Sequence, residues 1–123
     1  KHSRKILSLE WIDPYFSAGH WVPEQIEIAG FRSAIGQRGE HSRVISIEEI
    51  IESDPDDIAV ICCGYKLHEN EAFAERLKNN KEINFLKPFK KNKIYSFDSD
   101  ALFSRPTTRI IEGAEQLRKA VLG

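Results

Sequence analysis

The continuous apolar run at residues 58–61 constrains the fold of this chain more than any other feature. A strand with one face in water alternates apolar and polar side chains, whereas a strand covered on both faces is apolar throughout. Strands of the second kind occur in parallel sheets that carry helices on both sides. The run therefore predicts a buried central strand in an α/β fold.

Strand-like and helix-like segments alternate along the rest of the chain, as expected for a mostly parallel sheet. We predict strands at residues 5–10, 43–45, 58–63 and 94–97. The predicted helices cover 22–29, the segment between Ser46 and Asp54, 69–79, and a final segment that begins near Thr107 or Thr108. This order predicts a three-layer α/β/α fold with about four or five strands, in which residues 1–123 form a single lobe.

Local signals support two of these helices. Ser46 and Glu49 have the spacing of a capping box, in which each side chain bonds the other residue's backbone N–H. Pro23 stands in the first turn of the first predicted helix, where a missing N–H costs nothing, and Gly30 is typical of a helix end.

Charge and composition argue against several classes of partner. The chain has 18 basic and 19 acidic side chains, so its net charge gives no reason to expect nucleic acid as a partner. We see no apolar run of the roughly 20 residues that a membrane span needs. The four histidines and two adjacent cysteines lack the ligand spacing of a zinc site, and no metal site is predicted.

Residues 10–24 contain an unusual density of aromatic side chains and two prolines. Because they follow the first predicted strand and precede the first helix, we interpret them as a crossover loop at the carboxyl end of a strand. Ligands of open α/β sheets bind at that edge. The segments that follow the last two predicted strands, 63–66 and 98–106, are expected at the same edge, whereas the loop at 36–42 is expected opposite it or at the rim.

Three stretches of the sequence resemble one known family. They are residues 8–30 (SLEWIDPYFSAGHWVPEQIEIAG), 53–65 (SDPDDIAVICCGY) and 93–117 (KIYSFDSDALFSRPTTRIIEGAEQL). Together they are similar to the C-terminal lobe of the cobalamin and iron-siderophore substrate-binding proteins of ABC importers. In that family, two α/β lobes are joined by a long rigid helix, and a metal chelate lies between them. Phe31 and Thr107-Thr108 depart from the family's usual glycine and Gly-Pro.

The resemblance implies a binding role without catalysis and without a cofactor. The ligand would be a corrinoid such as cobalamin, a haem or a ferric siderophore. The side chains that the resemblance and the loop positions bring to the ligand are Trp11, His20, Trp21, Tyr65, Phe103 and Arg105. Aromatic rings suit the wide apolar face of such a ligand, and an arginine suits its polar rim.

The resemblance also implies partners and a compartment. Glu24 is a candidate for docking onto the basic surface of an ABC permease. A second, N-terminal lobe would supply the other wall of the ligand cleft. The family implies a periplasmic or other extracytoplasmic location, with lipid anchoring as one form.

Several alternatives stay open at this point. Trp11 is equally suited to packing beneath the loop, His20 to a hydrogen bond or to axial metal ligation, and Arg105 to a salt bridge with Asp98, Asp100 or Glu112. Cys63 with His68 and His20 forms a weak nucleophile and base pattern, and we do not expect an enzyme. A protein-interaction or regulatory α/β module is the alternative function.

Overall fold

A computed structural model describes residues 4–19, 21–36, 39–62, 66–98 and 109–123. In chain order, the elements of this part are β1 (Lys5–Ile12), β2 (Tyr15–Ser17), α1 (Val22–Ile28), β3 (Arg32–Ser33), β4 (Arg43–Val44), α2 (Ile47–Ser53), β5 (Asp57–Val60), α3 (Leu67–Lys78), α4 (Lys87–Lys90), β6 (Ile94–Ser96) and α5 (Arg109–Leu122). The predicted alternation of strands and helices is confirmed.

The strands form one mixed sheet in the order β4-β2-β1-β5-β6, with β3 paired to the start of β1. Strand β5 lies between β1 and β6 and is parallel to both. All four of its residues are buried, as the apolar run at 58–61 predicts. The sheet has six strands where four or five are predicted, since β2 and the two-residue β3 give weak sequence signals.

The prediction of a single loop across residues 10–24 is wrong at its start. Strand β1 continues to Ile12, the chain turns at the cis Asp13–Pro14 peptide, and β2 returns antiparallel to β1. Strand β4 then pairs antiparallel with β2. The aromatic residues Trp11, Tyr15 and Phe16 therefore belong to a β-hairpin, and the remaining crossover begins only at Ala18.

Helices cover both faces of the sheet, and each face has its own apolar core. One core joins the strands to α1 and α5, and its largest buried members include Ile6, Ile26, Phe31 and Leu117. The other joins them to α2, α3 and α4, and includes Leu7, Leu9, Ile50, Ile58, Leu77 and Ile83. Each fully buried side chain of this kind contributes about 1.5–3 kcal/mol to folding. The three-layer α/β/α architecture is confirmed.

The helix ends follow the local chemistry of the sequence. The capping box of α2 is present, with Ser46 Oγ accepting from the Glu49 N–H at 3.0 Å and Glu49 Oε1 accepting from the Ser46 N–H at 2.9 Å. Helix α1 carries Pro23 in its first turn and is followed by Gly30 at a φ of 97°. Helix α3 begins two residues before the predicted start at 69, and α4 is absent from the prediction.

Candidate functional site

The parallel strands β5 and β6 end at a common level, which defines the candidate site, and β1 continues past that level to Ile12. Val60, the last residue of β5, lies opposite Leu9 of β1 and opposite Ser96 of β6. Beside them, the Ala18 N–H donates to the Ser8 carbonyl at 3.0 Å. The segments that begin at Cys62 and Asp98 therefore leave the same edge of the sheet, which we call the carboxyl edge, and the segment that begins at Gly19 leaves the antiparallel strand β2 beside it, at the level of Ser8.

The order of the strands fixes how far apart these segments start. Strands β2 and β6 are separated by β1 and β5. With about 4.8 Å between neighbouring strands, the first and last segments leave the sheet about 14 Å apart. The carboxyl edge thus presents a wide row of loop starts, and it is suited to a large, flat ligand more than to a small ion.

Trp21 is the best described of the predicted ligand-binding residues. It is the N-cap residue of α1 and its side chain is half-buried. Its carbonyl accepts from the Gln25 N–H at 3.0 Å, and the Val22 N–H donates to the Gly19 carbonyl at 3.1 Å. These bonds anchor the backbone on either side of Trp21 to the first turn of the helix. Contact between Trp21 and a ligand stays a prediction.

Trp11 packs against helix α3. Its ring meets the Phe73 ring edge-on, with centroids 5.5 Å apart and planes at 66°. Its indole Nε1–H donates to the Asp13 carbonyl at 3.0 Å. Such an aromatic pair contributes about 0.5–1.5 kcal/mol beyond its buried area. Trp11 therefore has a packing role, which is one of the two alternatives. Its ring is half-exposed, and its contact with a ligand stays a prediction.

Of the other predicted site residues, some lie in the described part of the chain and some do not. Glu24 lies in the first turn of α1 and is half-buried. His20, Tyr65, Phe103 and Arg105 lie outside the described residues, as does Cys63 of the weak nucleophile pattern. His68, the base of that pattern, is exposed in the first turn of α3.

Asn70 is a residue of the carboxyl edge that the sequence interpretation missed. It is fully buried, and its Oδ1 accepts from the Cys62 N–H at 2.9 Å while its Nδ2 donates to the Phe97 carbonyl at 2.7 Å. It thereby joins the ends of β5 and β6, where two candidate ligand loops begin. Its spacing in the sequence could have indicated its burial, because Asn70 lies four and seven residues before Ala74 and Leu77 on the buried face of α3.

The opposite edge of the sheet carries a charged cluster. Both Asp57 carboxylate oxygens accept from Arg4, at 2.9 and 3.0 Å, and the Tyr95 hydroxyl lies 3.4 Å from Asp57 Oδ1. The hydrogen bond to Asp57 raises the pKa of Arg4. Burial, reinforced by the negative charge of Asp57, raises the pKa of Tyr95.

Lys87 forms ion pairs with two aspartates beside that cluster. Its Nζ lies 2.9 Å from Asp56 Oδ1 and 3.5 Å from Asp54 Oδ2. Burial opposes ionisation of Asp56, but hydrogen bonds from the Lys5 N–H and from Lys87 outweigh it, and the pKa of Asp56 is lowered. The bond to Asp56 raises the pKa of Lys87. This edge therefore has a structural role in joining β1, β5 and α4.

The described residues line two cavities, and neither Trp11 nor Trp21 belongs to either lining. A groove of about 610 Å³ runs between α3, β6 and α5, lined by His68, Glu71, Glu75, Lys78, Tyr95 and Ala120 among others. A second cavity of about 250 Å³ lies beside the hairpin, against Asp13, Tyr15, Arg76 and Asn80.

Within the described part of the chain, no three or more His, Cys, Asp or Glu side chains are grouped to hold a metal ion. None of the helices described is both long enough and apolar enough to cross a membrane.

The fold and the row of loop starts define an α/β lobe with several loops near one edge of its sheet, and comparison with known proteins gives its family. Residues 2–101 match the periplasmic binding protein family. The chain belongs to this family, whose members are described as binding proteins. No protein with a curated description matches the sequence.

Solved structures of low sequence identity share the fold. An ABC transporter substrate-binding protein from Listeria monocytogenes superposes with a TM-score of 0.83 at 18% identity, over 98% of this chain and 48% of its own. The periplasmic vitamin B12-binding protein of Vibrio cholerae gives 0.73 at 17%, over 98% and 45%. An ABC-type Fe3+-hydroxamate transport system protein from Saccharomonospora viridis gives 0.74 at 19%, over 96% and 41%. The chain therefore spans less than half the length of each.

Proposed function

We propose that this chain is a ligand-binding lobe of the substrate-binding component of an ABC importer, and that its ligand is a corrinoid or another metal chelate. The proposal rests on the position of several loop starts at or beside the carboxyl edge. Segments starting at Cys62 and Asp98 leave this edge after the neighbouring strands β5 and β6, and the segment starting at Gly19 leaves β2 on the other side of β1. Those segments contain the aromatic residues and the arginine that the sequence assigns to the ligand.

The chemistry of these residues suits a chelate. Trp21, Tyr65 and Phe103 would supply flat apolar area at low entropic cost, and Arg105 would meet carboxylate or amide groups at the rim. His20 would add a hydrogen bond or an axial ligand. A row about 14 Å wide matches a ligand that contacts several loops at once.

The structural relatives support the same ligand class. The Vibrio cholerae relative binds vitamin B12, and the Saccharomonospora viridis relative belongs to an Fe3+-hydroxamate transport system. Because this chain covers less than half of each relative, the cleft we propose has a second wall outside it. A single lobe would bind more weakly than a complete cleft, since half of the contact area is missing.

The transport role requires a partner and a compartment. We propose that Glu24, which is half-buried in the first turn of α1, docks onto a basic patch of the permease. A carboxylate there is also favoured by the positive end of the helix. We further propose that the protein acts outside the cytoplasm, either free or lipid-anchored.

Titration with cyanocobalamin, haemin and ferrichrome, monitored by tryptophan fluorescence, tests the proposal. We expect saturable quenching by at least one probe, and about tenfold weaker binding for Trp21→Ala. Phe85→Ala is the matched control, since Phe85 is an exposed aromatic residue 51% accessible to solvent and outside the candidate site. Absence of binding to all three probes, confirmed by equilibrium dialysis, would favour the protein-interaction module instead.

A further inference from the structure

Glu10 occupies an irregular position in β1. The pairing of β1 with β2 runs from Leu9 opposite Ser17 directly to Trp11 opposite Phe16. Glu10 is therefore the extra residue of a β-bulge and has no partner on β2. Bulges bend a strand locally and redirect the side chain of the extra residue.

The redirected carboxylate of Glu10 reaches Ser42, on the far side of β2. Ser42 Oγ donates a short hydrogen bond to Glu10 Oε1 and accepts one from the Gly19 N–H at 3.1 Å. The pairing of Ser17 with Arg43 places Ser42 next to this part of the chain. A bond to a charged acceptor is about twice as strong as a neutral one, so the carboxylate fixes the hydroxyl that holds Gly19.

Gly19 also makes a close backbone contact with the same segment. A Cβ atom on Gly19 would lie 2.4 Å from the Glu40 carbonyl oxygen and 2.5 Å from the Ser42 nitrogen. Only a residue without a side chain can lie this close to residues 40–42. The hydrogen bonds and this contact converge on the residue two positions before Trp21.

We propose that Glu10 and Ser42 are positioning residues that hold Gly19, two residues before Trp21, against the 40–42 segment and so set the affinity of the binding site. This inference rests on the proposed function of Trp21 as a wall of that site. A loop that is held before binding loses less conformational entropy when the ligand arrives. Neither residue is required to touch the ligand.

Amide hydrogen exchange without ligand tests the positioning role. Ser42→Ala and Glu10→Ala should accelerate exchange of the Gly19 amide at least about fivefold, since each removes one bond of the Glu10–Ser42–Gly19 chain. Ser42→Thr, which keeps the hydroxyl, and Glu10→Gln, which keeps an acceptor, should restore most of the protection. Ser53→Ala is the matched control, because Ser53 Oγ bonds the Ile50 carbonyl within α2.

The affinity of the same variants for cyanocobalamin, haemin and ferrichrome tests the consequence for binding. Ser42→Ala should weaken binding about fivefold to tenfold, and Ser42→Thr and Ser53→Ala should bind like the unsubstituted protein. Unchanged affinity or unchanged Gly19 exchange in Ser42→Ala would overturn the inference. Binding of no probe by the unsubstituted protein contradicts the proposed function, and the exchange rates then decide the positioning role by themselves.

Discussion

Asn70 Nδ2 donates a hydrogen bond to the Phe97 carbonyl oxygen at 2.7 Å, and this bond ties helix α3 to the end of strand β6. The same amide accepts from the Cys62 N–H at the end of β5. One fully buried side chain thus sets the spacing between the starts of two candidate ligand loops. A buried polar group that is fully hydrogen-bonded in this way is costly to replace.

Asn70→Ala should lower the free energy of unfolding by about 2–3 kcal/mol, because it removes two buried hydrogen bonds. Urea denaturation measures the change. Asn79→Ala is the matched control, since the exposed side chain of Asn79 donates to the Glu75 carbonyl at the end of the same helix, and it should cost less than about 1 kcal/mol. Equal losses in the two variants would show that Asn70 has no special role.

Arg4→Met should destabilise the protein by about 1–3 kcal/mol. The substitution leaves the fully buried carboxylate of Asp57 without its bidentate partner. This loss of stability is moderate because 36% of the Arg4 side chain is exposed to solvent, which screens the ion pair. Arg76→Met provides the comparison: the Arg76–Asp13 pair is exposed and 3.8 Å apart, and we expect a loss below about 0.5 kcal/mol in thermal unfolding.

The stability contribution of Asp56 should depend on pH. Its pKa is lower in the folded chain than in the unfolded chain, so folding favours the charged carboxylate. The contribution is present above the unfolded value of about 4 and is lost as the pH falls through the folded pKa. Urea unfolding of Asp56→Asn and of the unsubstituted protein should therefore differ most near neutral pH, and the difference should shrink in acid. A difference that grew in acid would contradict the assignment.

Gly19→Ala should destabilise the protein by about 3 kcal/mol and weaken ligand binding, because the new methyl group collides with the backbone of residues 40–42. Gly39→Ala separates crowding from backbone strain. Gly39 has a φ of +83° and open space around it, so its substitution should cost only about 1–2 kcal/mol. Chemical denaturation measures both variants, and a smaller loss at Gly19 than at Gly39 would contradict the close contact.

The parts of the fold that depend on local chemistry could be predicted from the sequence. The capping box of Ser46 and Glu49 acts over three residues, and the apolar run of β5 reports burial directly. The hairpin at Trp11 and Tyr15 was missed because its return strand has only three residues and lies within an aromatic stretch that resembles a loop.

Side-chain contacts between residues far apart in the sequence, in the candidate site and at the opposite edge, were less accessible to prediction. Glu10 and Ser42 are 32 residues apart, and Arg4 and Asp57 are 53 apart. Pairings of this kind follow from strand register, which the order of the predicted strands does not fix. Asn70 was recognisable only as a polar residue on an apolar helix face, and the two strand ends that it joins become evident only in the folded chain.

Residue-resolved NMR during a chelate titration shows whether a metal chelate binds at the carboxyl edge of the sheet. Cyanocobalamin, haemin and ferrichrome are added separately to isotopically labelled protein. With at least one of them, we predict amide shifts concentrated at Gly19, Trp21, Cys62 and Asp98. Shifts confined to the opposite edge, at Arg32, Asp57 and Lys93, or no shifts with any of the three probes, would contradict the account.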